Sequence, residues 1–177
     1  MHRLLIAAAL ILPTAVFAAG GDDKDPPTTT NTTTECTDGM IWSDTENKCV
    51  SPQSGALQDD DLYDAARELA YAGQYHETLD VLAAMSDPTD DRVLTYMGFA
   101  HRKLGDVELG NAYYRQAIAK NPDNILARSY MGQGFVAAGD LAAARVQLSE
   151  IRSRGGRETW AEFSLHQAIE TGRVVSY

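Results

Sequence analysis

Few residues of this chain are of types and spacings that do chemistry. Cys36 and Cys49 are its only cysteines, in the run CTDGMIWSDTENKC. Two cysteines exclude a four-cysteine zinc site and a disulfide-dense scaffold, and without a Cys-x-x-Cys spacing they make no redox pair. Their even number in a chain with an export leader predicts one intramolecular disulfide. His76, His101 and His166 fall in separate helical stretches, and no His-Glu-x-x-His pattern occurs. No Ser stands in a Gly-x-Ser-x-Gly elbow, and no Gly-rich phosphate loop follows a strand. Asp59, Asp60 and Asp61, like Asp90 and Asp91, lack the spacing of a calcium loop. They read as negative charge at helix N-termini, which favours the helix dipole. We therefore expect no enzyme, no catalytic or metal-ligating residue and no cofactor.

The elements that carry these residues follow from composition and period. A chain of 177 residues and 19.2 kDa fits one ordinary domain. Its 44% hydrophobic and 23% charged residues are globular in proportion. A net charge of −10 and a pI of 4.7 argue against a nucleic-acid-binding surface over the whole molecule. Met1-His2-Arg3, an apolar run from Leu4 to Phe17 and the exit Val16-Phe17-Ala18-Ala19 predict a signal peptide over 1–18, cut after Ala18. The run is short for a membrane anchor, which needs roughly 20 apolar residues, and it carries Pro13. Export to a bacterial periplasm is the expected destination, with secretion as the alternative, and no stable membrane insertion after cleavage.

Residues 19–35 contain DDKDPPTTTNTTTE, with nothing aliphatic or aromatic beyond Asp22 except two prolines. Such a stretch cannot bury enough apolar surface to offset its ordering entropy, so a disordered linker is expected. Residues 36–50 then form a loop stapled by Cys36 and Cys49, with Met40, Ile41, Trp42 and Val50 as its small apolar cluster. Trp42 could serve as a stacking platform for a sugar or cell-wall polymer. Residues 51–58 read as a second short linker.

From Asp59 onward the hydrophobic period is helical. The turn signals Gly73-Gln74-Tyr75, Gly105-Asp106-Val107 and Gly139-Asp140-Leu141 recur at spacings of 32 and 34 residues, each between two helical stretches. The middle unit reads Leu94-x2-Met97-Gly98-x2-His101, then Gly110-x3-Tyr114, then Pro122. The last reads Arg128-x2-Met131-Gly132-x2-Phe135, then Ala144-x3-Leu148. The first is looser, with Leu62-x2-Ala65-Ala66-x2-Leu69 and Thr78-x3-Leu82. A helix–turn–helix unit with a period near 34 resembles the tetratricopeptide repeat family. Gly98 and Gly110 let the two helices of a unit approach closely, Tyr114 fills the wedge between units, and Pro122 stops the second helix. In the third unit Gly155-Gly156 replaces the proline and Arg128 the first large apolar residue. The predicted fold is an all-α solenoid with repeats at 59–90, 91–124 and 125–157. A capping helix follows at 158–172, with large residues Trp160, Phe163, Leu165 and Ile169 and Gly172 at its end, then a tail at 173–177.

The resemblance implies a concave face lined by the first helix of each unit. That places Tyr63, Arg67 and Tyr71 there from unit one, Thr95, Phe99 and Lys103 from unit two, and Ser129, Gln133 and Ala137 from unit three, with Arg92, Arg102 and Tyr130 as neighbours. Each trio runs i, i+4, i+8 and shares a helix face. Aromatic residues and arginine anchor protein interfaces. The implied function is a protein–protein interaction scaffold or adaptor in the cell envelope, holding a peptide or protein segment. The alternatives are a glycan- or cell-wall-binding module acting through the stapled loop, or an assembly factor for an envelope complex. The basic and Asn residues with which the family grips a C-terminal carboxylate are replaced by Thr95, Phe99, Ser129 and Gln133. Charge is divided along the array: residues 59–91 carry −9, residues 92–124 carry +2 and residues 125–157 carry +3.

Overall fold

The computed structural model describes residues 25–174; the expected signal peptide, the first part of the linker and the last three residues of the tail lie outside them. Within that range the fold is mostly helical, with one small disulfide-bonded hairpin. The elements are α1 (Asn31–Thr34), β1 (Ile41–Ser43), β2 (Lys48–Val50), α2 (Asp59–Tyr71), α3 (Tyr75–Leu82), α4 (Asp91–Lys103), α5 (Val107–Lys120), α6 (Ile125–Ala137), α7 (Leu141–Ser153) and α8 (Trp160–Thr171). Helices α2 and α3, α4 and α5, and α6 and α7 pack as successive pairs, and α8 lies on α6 and α7. No described helix is long and apolar enough to cross a membrane.

Helix starts and stops follow local chemistry. Asp90, Asn124, Asp140 and Thr159 accept backbone N–H groups at the starts of α4, α6, α7 and α8, meeting donors that a helix start leaves orphaned. Gly73, Gly105 and Gly139 stand at φ +80°, +101° and +80° behind α2, α4 and α6. There the chain closes alike each time: Gln74 N donates to Leu69 O, Asp106 N to His101 O and Asp140 N to Phe135 O, a Schellman stop. The three turn signals are thus one structural device used three times. At the end of α5, Asn121 is extended ahead of Pro122, as a residue preceding proline must be.

Close approach in the middle pair is absolute. A Cβ on Gly98 would lie 2.7 Å from the Tyr114 ring and 2.9 Å from Gly110 O, and one on Gly110 would lie 2.7 Å from Gly98 O. Tyr114 is fully buried beside them. In the third unit Ala144 is fully buried and Met131 nearly so, but Gly132 makes room chiefly for α8, its absent Cβ falling 2.7 Å from Leu165 Cδ2. One core runs from Ile41 through α2–α6 to Ala161. A second, of Val136, Ala144, Leu148, Ile151, Leu165 and Ala168, joins α6, α7 and α8.

The N-terminal expectations need correcting. Residues 25–35 are an ordered strap and not a disordered linker: Thr30 caps α1, and the buried Glu68 carboxylate of α2 accepts Thr30 N at 2.7 Å, Thr33 N at 3.1 Å and both threonine hydroxyls. Apolar burial was the wrong criterion there, because the segment is held by hydrogen bonds to charged groups of α2, Glu68 and Arg67, and such bonds are stronger than neutral ones. The stapled loop is an antiparallel hairpin with Ile41 opposite Val50 and Trp42 opposite Cys49, and the Cys36–Cys49 disulfide is formed. Ile41 and Val50 are buried, and Ile41 belongs to the main core, so the hairpin closes the open side of the first helix pair. Residues 51–58 hold a single 3-10 turn at Pro52–Ser54 with Pro52 buried. Helix α3 has only eight residues, whereas its partner α2 has thirteen. Asp59 of α2 takes Ser86 N and the Ser86 hydroxyl, pinning the chain where the helix has already ended.

Helix α8 caps the stack through Leu165, which is fully buried, and the partly buried Ile169 and Trp160. Phe163 is 55% exposed and does not face the last pair. Gly172 ends the helix at φ +67°.

Candidate functional site

The first helices of the three pairs, α2, α4 and α6, bring the predicted face together, and the chain itself fills most of it. Tyr63, Arg67, Thr95, Phe99, Ser129, Tyr130 and Gln133 are buried, whereas Tyr71, Arg92, Arg102 and Lys103 are half-buried and Ala137 is exposed. Three causes account for the burial. Rings interlock between helices: Tyr63 with Tyr96 at 5.7 Å, Tyr71 stacked on Phe99 at 6.1 Å, and Phe99 with Tyr130 at 4.8 Å. Phenols join in a chain: Tyr130 shares hydrogen bonds with Tyr71 at 2.8 Å and with Tyr96 at 3.2 Å, while Arg67 Nε donates to Tyr96 and its Nη2 to Asp25 O of the strap. Finally, α8 covers α6. Ser129 meets Ser164 at 3.2 Å, Gln133 Nε2 donates to both serine hydroxyls, and Trp160 Nε1 donates to the Tyr71 hydroxyl at 2.9 Å.

Thr95 has an internal partner set. Its hydroxyl donates to Asp91 O and accepts from Asn124 Nδ2, which also reaches the Asp91 carboxylate at 2.7 Å. Arg128, buried, donates to Pro122 O from Nε and Nη2. Such buried polar groups cost little because each finds its bond.

Three of the four half-buried residues are cations set on aromatic rings. Arg92 stands 4.9 Å from the Tyr63 centroid and is held by Asp60 at 2.9 Å and Asp90 at 3.3 Å. Arg102 and Lys103 flank Phe99 at 5.8 and 5.4 Å. Burial, and then the neighbouring Arg102 charge, push the Lys103 ammonium below its usual range. Arg102 departs from this polar satisfaction. Its Nε and Nη2 and the nearby Asn111 Oδ1 are buried without a hydrogen bond, and its stem passes 3.2 Å from where a Cβ of Gly134 would be.

Tyr96, Asn111, Asn124, Gly134, Trp160 and Ser164 complete this face and were not assigned to it from sequence. Tyr96 had a usable signal, since it precedes Tyr130 by 34 residues and so shares its place in the repeat. Trp160 had none, because its bond to Tyr71 spans 89 residues.

Trp42, partly buried, lines a cavity of about 670 Å³ between the strap, β1 and α2, with Asp44 accepting its indole N–H at 2.9 Å. Among the described residues no group of three or more His, Cys, Asp or Glu side chains could hold a metal ion. Set against family models, curated proteins and solved structures, the chain gives no match to any of them.

Proposed function

We propose that this chain is an exported, non-enzymatic interaction scaffold built of three tetratricopeptide-type units, which holds a protein or peptide segment along its inner helices. The 34-residue recurrence of Met-Gly at 97–98 and 131–132, the paired helices and the Gly98–Gly110 approach support the family reading. The Cys36–Cys49 disulfide supports an oxidising compartment, as the periplasm is.

The observation that carries the functional reading is the cation–aromatic row of Arg92, Arg102 and Lys103 on Tyr63 and Phe99. Arginine and aromatic groups held rigid before binding give anchors at low entropic cost. Arg102 adds a half-buried guanidinium set on Phe99. The contact surface is therefore Tyr71, Arg92, Arg102 and Lys103, with the buried rings as their support. The test is recovery of partner by the double variant Arg92→Ala/Lys103→Glu. We expect capture to fall at least tenfold with helicity unchanged; undiminished capture by a folded variant refutes this surface.

A second reading rests on Trp42 in its cavity: a glycan or cell-wall polymer stacking on the indole. It predicts that Trp42→Ala abolishes retention of the full chain on purified envelope polymer, and retention equal to wild type ends it.

A further inference from the structure

A second surface lies away from the inner face, where the last helix pair meets the capping helix. One face of α7 (Arg145, Leu148, Arg152) and one face of α8 (His166, Ile169, Glu170) form the walls of a groove of about 570 Å³, and Arg157 of the connecting loop also lines it. Leu148 is buried and Ile169 half-buried, so the floor is apolar. Three arginines and a histidine stand around it against one glutamate. Arg152 is held by Glu162 at 2.7 Å. Arg145 and Arg157 are exposed and make no hydrogen bond or ion pair with any described residue. Two uncommitted guanidinium groups stand over a greasy floor in the unit that carries +3, within a chain of net charge −10.

We propose that this α7–α8 groove docks an acidic polypeptide segment, one apolar side chain seated on Leu148 and Ile169 and carboxylates reaching Arg145 and Arg157. Arginine takes carboxylate through two parallel N–H bonds, which makes it a selective anchor as well as a charge. Charge complementarity selects the class of partner. A nucleic acid or an anionic membrane presents a long field of negative charge, which the rest of this acidic chain repels. A short acidic segment meets only the groove. The assignment is independent of the inner-face reading.

The test uses the full mature chain and a dye-labelled peptide, Glu-Glu-Leu-Glu-Glu, followed by fluorescence anisotropy. The expected result is saturable binding that weakens at least tenfold with Arg145→Glu/Arg157→Glu. It should stay within twofold with Arg115→Glu/Lys48→Glu, two exposed cations elsewhere. Circular dichroism checks the fold, and both groove arginines are surface residues whose replacement leaves the core untouched. The proposal is overturned by absence of binding, by equal binding of the Gln-Gln-Leu-Gln-Gln peptide, or by equal loss in the Arg115/Lys48 control, which would reduce the effect to net charge. Tighter binding of a single-stranded oligonucleotide of the same charge would also overturn it.

Discussion

Gly98 and Arg102 sit one helical turn apart and illustrate two kinds of constraint on a single residue. Gly98 is fixed by space. Alanine there places a methyl 2.7 Å from the Tyr114 ring, and overpacking of this kind costs about 2 kcal/mol; urea denaturation of Gly98→Ala should show that loss. Arg102, on the proposed scaffold reading, serves the partner and not the fold. Its buried N–H groups lack acceptors, so an apolar side chain of similar length should relieve the fold. Arg102→Met is expected to unfold at equal or higher urea than wild type while losing partner capture; a clear loss of stability would show that the arginine is structural. Glu162 ties α8 to α7. Burial alone would raise its carboxyl, but the Arg152 bond and the Glu158 amide outweigh burial and hold it below the usual carboxylate range. A depressed folded value means stabilisation that is present above the ordinary carboxyl pKa and lost as pH falls through the folded one. Glu162→Gln should therefore be less stable than wild type at neutral pH, with the gap narrowing in acid, as thermal melts across pH will register. Gly98 was legible in sequence because a repeated Met-Gly has a packing reason. Arg102 was legible only as a residue type, because its want of acceptors depends on Asn111 and Gly134 from two other helices.

Among the elements, the helix pairs announced themselves and the strap did not. Period, Gly-Asp turns and Pro122 define α4–α7 locally, and local signals are what a sequence displays. The strap's order rests chiefly on one buried carboxylate on a helix 38 residues away, with Arg67 holding Asp25 O, and nothing in a threonine tract foretells it. Glu68→Ala should release it: amide exchange at Thr33 is expected to quicken by roughly tenfold or more, with the exchange of α4–α7 unaltered. The hairpin is anchored separately. Closing its loop by the disulfide is worth about 3 kcal/mol on chain-entropy reasoning, so Cys36→Ser/Cys49→Ser should loosen β1 and β2 and expose Ile41. Hydrogen exchange distinguishes these two outcomes, because each variant frees a different segment.

Over the whole molecule, the sequence-level picture of an open trough is narrowed by what the chain does with its own aromatic residues. Tyr63, Tyr96, Phe99 and Tyr130 interlock across α2, α4 and α6, and Trp160 reaches back from the last helix to the first pair. The trios at i, i+4, i+8 do share a face, as helical geometry requires; their depth was illegible because it is decided by neighbours distant in sequence. What remains open to a partner is the edge where Arg92, Arg102 and Lys103 stand on those rings. The split of charge from −9 in the first unit to +3 in the third gives that edge a direction, and on the proposed scaffold reading it would orient a bound segment. The most direct measurement is site-specific photocrosslinking in the native compartment, with the reactive side chain placed at Lys103 on the inner edge or at Arg115 on the outer surface, followed by mass spectrometry of the adducts. The account predicts one predominant protein adduct from position 103 that is absent from position 115. The same adducts from both positions, or none from position 103, would contradict it.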